Sequence, residues 1–189
     1  TGGWTWLVTT EVEWAARPMK NLNLPLLVAF FTCVGLGAPV RILRTGGRAL
    51  AVLLVAGTRG VEQARAQADT SVVTVVEYID RMDLAYSVAD LVVARSGAMT
   101  CAEVAAVGIP SVLVPLPVGN GEQKRNAESL TAAGAAVVIN DDDFNATVVR
   151  QRVVSLMSDL SRLESMGRAA KSLGRNDADR VFAQFIVDV

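Results

Sequence analysis

The sequence predicts an α/β fold built on a doubly wound parallel sheet, and three observations carry that expectation. From Leu50 onward, short Val/Leu/Ile runs alternate with segments of helical periodicity. The run Ala49–Ala56 is apolar without interruption, as suits a strand covered by helices on both faces. Glycine or proline then closes one element after another, at Gly57, Gly108, Pro115 and Gly134.

In chain order, Leu22–Val40 is the most apolar stretch and reads as a buried strand with flanking turns. Pro25 and Pro39 leave it an apolar core shorter than the roughly 20 residues that span a bilayer, and an interfacial role stays open for it. The rest of residues 1–48 gives no element: three tryptophans, an isolated Pro18 and mixed polarity follow no period. Thr1–Trp14 lacks the basic start and small-residue cleavage site of a secretory signal. Residues 1–48 are therefore set apart from a domain over residues 49–189. In that domain the expected strands are Ala49–Ala56, Ser71–Val76, Leu91–Ala94, Ser111–Val114 and Ala135–Ile139. The expected helices are Val61–Ala68, Asp83–Ala89, Thr100–Val107, Glu122–Ala133, Thr147–Ser158, Ser161–Leu173 and Asp177–Val189, with Asp141–Asp143 as a turn.

Composition narrows the chemistry. With 51% hydrophobic but only 5% aromatic residues, the 189-residue chain has the material for one aliphatic core. A formal net charge of −1, with no Lys/Arg run, argues against a nucleic-acid surface. Histidine is absent, which removes the commonest general base and metal ligand together. Cys33 and Cys101 lack metal-ligand spacing and read as small core residues of a reducing compartment. No metal and no cofactor are expected.

In an open parallel sheet, ligands sit beyond the carboxyl ends of the strands, where helix N-termini point. Two loops have that position. After Leu91–Ala94, the small residues Ser96-Gly97-Ala98 let a ligand approach the backbone, and the helix opening at Thr100 favours an anion such as a diphosphate. Thr100 and Glu103 equally fit a T-x-x-E capping box, which needs no ligand. After Ser111–Val114, the loop Pro115–Gln123 ends in Glu122 and Gln123, a carboxylate and an amide suited to sugar hydroxyls, or simply to a solvated helix start.

Three strings, Tyr78–Tyr86 (YIDRMDLAY), Ala89–Glu103 (ADLVVARSGAMTCAE) and Gly119–Ala127 (GNGEQKRNA), resemble in order and spacing the donor-binding domain of the MurG family, most nearly its actinobacterial branch. The resemblance runs from about Thr74 to the C-terminus. It implies a Rossmann-like, GT-B type C-terminal domain that binds UDP-N-acetylglucosamine without a metal. It also implies a parent reaction that transfers N-acetylglucosamine to lipid I in peptidoglycan synthesis. By that resemblance Ile79 meets the uracil edge through its backbone and Met82 covers the nucleoside. Ser96, Gly97, Ala98, Met99 and Thr100 lie by the diphosphate, and Glu103 holds the ribose hydroxyls. Glu122 and Gln123 contact the sugar, Asn126 supports their loop, and Arg95 organises the site. Ala38–Gly47 matches the family's first glycine loop only faintly, and Arg48 stands where a serine is expected. The acceptor domain, with its lipid I site and candidate base, is expected to be missing from these 189 residues, so no catalytic residue is assigned here. The implied location is the cytoplasm, with peripheral membrane attachment open. Alternatives are another GT-B donor domain or a non-catalytic nucleotide-sugar-binding fragment.

Overall fold

The structure, a computed structural model, describes residues 26–31, 50–55, 61–62, 64–66, 68 and 73–187. Six parallel strands form one sheet: β1 (Leu26–Phe31), β2 (Leu50–Val55), β3 (Val73–Val76), β4 (Leu91–Ala94), β5 (Ser111–Leu113) and β6 (Ala136–Val138). Their spatial order is β3-β2-β1-β4-β5-β6. The order reverses between β1 and β4, so the chain winds outward in both directions from that point, as in Rossmann-like domains. The apolar run Leu26–Phe31 pairs with both β2 and β4 and so divides the sheet in two. The sheet thus takes its central strand from the first 48 residues, where only a strand within Leu22–Val40 had been expected. The remainder of residues 1–49, including Cys33 and the Ala38–Gly47 loop, lies outside the described residues, as does Gly57.

The helices follow the expected alternation. Residues 61–62 and 64–66 are helical, within the expected Val61–Ala68, and the later helices are α1 (Met82–Val88), α2 (Ala98–Val107), α3 (Glu122–Ala132), a broken α4, α5 (Leu160–Leu173) and α6 (Ala178–Val187). Helix α4 comprises Ala146–Val148, a π-helical stretch Val149–Val154, and Ser155–Met157. A single 3₁₀ turn, Asp141–Asp143, links β6 to it.

The period of two along each strand divides the core. Leu91 and Val93 of β4, with Val112 and Val114 around β5, pack on one face against Val149, Val153 and Leu156 of α4 and Leu163 and Met166 of α5. Val92, Ala94 and Leu113 face the other way, against Tyr86 of α1, Cys101 and Val104 of α2 and Leu130 of α3. Every residue of β4 is buried, and each fully buried Val or Leu contributes about 1.5–3 kcal/mol of transfer free energy. A strand covered on both sides cannot show polar alternation, which is why its sequence reads as a continuous apolar run. Cys101 sits in this core, and burial pushes its thiol up to about 11.

Helix α5 closes over α2 at very short range. Gly174, just beyond α5, lies so near α2 that an added Cβ would stand 2.4 Å from the Ala105 carbonyl oxygen and 2.7 Å from Ala106 Cα. Lys171 donates to the Ala106 carbonyl beside it, satisfying the C-terminal end of α2. Gly174→Ala is therefore expected to lower stability by about 1–3 kcal/mol, because the obstructing atoms belong to backbone and cannot swing aside. A urea midpoint equal to wild type would show that this contact is looser than described.

Candidate functional site

Parallel strands bring all their carboxyl ends to one edge of the sheet, and four loops meet there: residues 77–81 after β3, 95–97 after β4, 114–121 after β5 and 139–143 after β6. The switch point between β1 and β4 opens on the same edge, beside the start of α2.

Helix α2 begins at Ala98, two residues earlier than the sequence suggested. Gly97 is its N-cap and provides no side-chain hydrogen bond. Thr100 is thus inside the first turn, not at the cap, and the capping-box reading of Thr100 and Glu103 is corrected. The first intrahelical bond runs from Cys101 N–H to the Gly97 carbonyl at 3.0 Å. That leaves the N–H groups of Ala98, Met99 and Thr100 at the positive end of the helix dipole with no side-chain cap. Among the described residues, an added Cβ on Gly97 would meet nothing nearer than Thr100 Oγ1 at 3.8 Å. Ser96, fully buried at the end of the strand, has an Oγ without a partner among the described residues. Ala98 and Met99 are exposed, while Gly97 and Thr100 are half-buried.

Glu103 lies one turn further along α2 and is half-buried. Its Oε2 accepts a 2.9 Å hydrogen bond from the phenol of Tyr86 on α1. Burial, followed by the bond to Glu103, holds the Tyr86 phenol well above the usual tyrosine range, so it remains a donor at any physiological pH. Met82 is half-buried and packs against the Tyr86–Cys101–Val104 cluster, and Ile79 is half-buried in the loop ahead of α1. Between them Arg81 donates to Asp83 through Nε at 2.9 Å and Nη2 at 2.6 Å, which lowers the Asp83 carboxyl below its ordinary value.

The second loop is tied to the first through α3. Gly119 and Gly121 adopt φ of 94° and 78°, a left-handed backbone that costs other residues about 1–2 kcal/mol, and Gly121 is the N-cap of α3. Gln123 accepts at Oε1 from the Leu116 N–H at 2.9 Å, which leaves its NH₂ group for other partners. Glu122 is exposed. Asn126 donates to the Ser96 carbonyl at 3.1 Å, so it braces the loop after β4, whereas the sequence placed it in support of the Gly119–Gln123 loop. Arg125 holds that latter loop, donating to the Asn120 carbonyl at 3.1 Å.

Beneath both loops lies a residue that the sequence read only as an organiser. The Arg95 side chain is 8% exposed; its Nη1 pairs with Asp141 Oδ1 and donates to the Val114 carbonyl at 3.3 Å. The acidic run Asp141–Asp143 therefore does more than turn the chain. Its first carboxylate reaches back across β5, an ion pair 46 residues long in sequence that no local pattern announces. Among the described residues, no three His, Cys, Asp or Glu side chains gather to hold a metal ion.

Removing the Asp141 carboxylate strands a buried guanidinium. Asp141→Ala should cost about 1.5–3 kcal/mol, whereas Asp142→Ala, at an exposed position in the same turn, should stay within roughly 0.5 kcal/mol of wild type. Urea unfolding of the two variants checks this, and equal midpoints would dissolve the proposed anchor.

Residues 36–181 match the family model described as glycosyltransferase family 28 C-terminal domain. A UDP-N-acetylglucosamine--N-acetylmuramyl-(pentapeptide) pyrophosphoryl-undecaprenol N-acetylglucosamine transferase from Saccharopolyspora erythraea is 52% identical over 114 residues, 60% of this chain and 30% of that protein. The protein of the same name from Rhodococcus erythropolis is 40% identical over 153 residues, 81% of this chain and 39% of that one. The chain thus spans 30–39% of the length of these two curated relatives. Among solved structures, MurG of Acinetobacter baumannii superposes with a TM-score of 0.81 at 27% identity, over 92% of this chain and 55% of that chain.

Proposed function

From the membership of this chain in the glycosyltransferase family 28 C-terminal domain family, we propose that it binds UDP-N-acetylglucosamine and forms the donor half of an enzyme that moves N-acetylglucosamine onto an undecaprenyl-pyrophosphoryl muramoyl pentapeptide. The observation that carries this reading is the start of α2, without a side-chain cap, unobstructed at Gly97 by any described residue and set at the edge where the strand order reverses. The names of the relatives support the choice of sugar and acceptor.

In this reading the diphosphate lies against the N–H groups of Ala98, Met99 and Thr100, with Gly97 giving it room and the Ser96 hydroxyl beneath. Glu103 takes the two ribose hydroxyls. A carboxylate offers about four lone-pair sites, so it accepts these donors while still bonded to Tyr86. The Ile79 backbone meets the uracil edge and Met82 flanks the nucleoside. The free NH₂ of Gln123, with Glu122, addresses the sugar hydroxyls, and Asn126 acts through the Ser96 carbonyl.

The chemistry that such a site serves is displacement at the anomeric carbon. An acceptor hydroxyl forms the new C–O bond as the bond to the diphosphate breaks, with inversion, and the acceptor proton passes to a base outside the residues assigned here. Negative charge grows on the departing UDP, where the fixed amide donors and dipole of α2 stabilise it without reorganisation. Reaction with a lipid-linked acceptor would set the enzyme at the cytoplasmic face of a membrane. No helix among the described residues is long and apolar enough to cross one.

Two outcomes test the site. Calorimetry should find UDP binding to the 189-residue chain, unchanged by a chelator because amide N–H groups replace a cation as the diphosphate's partner. Absence of binding by a folded sample, or loss in chelator restored by magnesium, would contradict the proposal. Second, Gly97→Ala should fold normally, since Gly97 has an ordinary φ of −62° and no atom of the described residues lies within clash range. The added methyl should instead weaken the nucleotide complex by about 1–3 kcal/mol, the usual penalty for overpacking a close contact. Undiminished UDP affinity in Gly97→Ala would move the diphosphate away from α2.

A further inference from the structure

We infer that Tyr86 is a positioning residue for nucleotide recognition, holding the Glu103 carboxylate in the orientation that receives a ribose diol. The inference rests on the proposed role of Glu103 and extends it to a residue on another helix.

Glutamate is a poor recognition group when left free, because its long side chain loses rotamer freedom on binding. Here one oxygen is already held: Tyr86 donates to Glu103 Oε2 at 2.9 Å. Among the described residues, Tyr86 is the one side chain that bonds this carboxylate. The anchor itself is rigid. Tyr86 is 4% exposed, and its ring lies in the core cluster with Cys101, Val104 and Ala105 of α2. The bond also crosses from α1 to α2, joining the helix that follows Ile79 and begins at Met82 to the helix that starts at the proposed diphosphate loop. The hydroxyl reaches the carboxylate, while the ring packs in the core. The two roles therefore separate in a single substitution.

Pre-organisation of this kind acts on affinity and not on the fold alone. Tyr86→Phe keeps the ring and removes the hydroxyl, and by the scale of one hydrogen bond it should weaken UDP binding roughly 2- to 10-fold in calorimetry. The decisive comparison is a double-mutant cycle with Glu103→Ala, which removes the group that Tyr86 is said to position. In the Glu103→Ala background, adding Tyr86→Phe should leave UDP affinity unchanged. Equal losses in the two backgrounds would show that Tyr86 supports the site by packing, and would overturn the inference. So would full UDP affinity in Tyr86→Phe when Glu103→Ala is impaired. If Glu103→Ala itself binds UDP as tightly as wild type, the failure lies with the role of Glu103, and both readings fall together.

Discussion

The buried ion pair between Arg95 and Asp141 is the constraint on which the rest of the site depends. Arg95 is the first residue beyond β4, so whatever fixes it also fixes Ser96 and Gly97, and through them the direction of α2. Asp141 stands beyond β6, two strands away, and the Val114 carbonyl that Arg95 also reaches ends the strand between them. One guanidinium thus locks three consecutive strand ends. Both bonds leave from the one nitrogen Nη1, and the buried Nε has no partner among the described residues. Burying the charge opposes the attraction between the partners, so the pair is better understood as specifying one arrangement of loops than as a large source of stability.

Above that lock, the loops are joined by uncharged hydrogen bonds. Asn126 reaches the Ser96 carbonyl and Gln123 reaches the Leu116 amide, both from the first two turns of α3. The same helix therefore braces the loop after β4 and the loop after β5. The chain contains no histidine, and the described residues hold no metal cluster. At the start of α2 the groups oriented towards an anion are backbone N–H donors, set in place by a strand buried on both faces. Such a site can hold and stabilise a leaving group without itself moving a proton.

Much of the fold was legible in the sequence because β4 and β5 are short, apolar and closed by glycine or proline, and Gly108 and Gly134 end their helices where expected. The start of α2 was misplaced because T-x-x-E carries a local capping signal, while the actual cap, Gly97, is set by the tertiary course of β4 into the crevice. Positions near the site were readable from motif spacing; their bonding was not. That Tyr86 meets Glu103, that Asn126 serves the first loop, and that Asp141 pairs with Arg95 are contacts across 17, 30 and 46 residues, which depend on which helices and strands become neighbours. The place of the central strand in the sheet was not legible for a different reason. Leu26–Phe31 reads as strand, but nothing in those six residues states that they lie between β2 and β4.

The central claim is that a nucleoside diphosphate binds where α2 begins, at the carboxyl edge of β4. Amide chemical-shift mapping of the 15N-labelled chain during titration with UDP tests it most directly, because it reports location and not affinity alone. The account predicts that the largest shifts fall on Gly97, Ala98, Met99 and Thr100, with smaller ones near Glu103, and that Gly108 and Gly134 at the opposite edge stay in place. Saturable shifts centred on that opposite edge, or none at residues 97–100 while UDP is demonstrably bound, would contradict it.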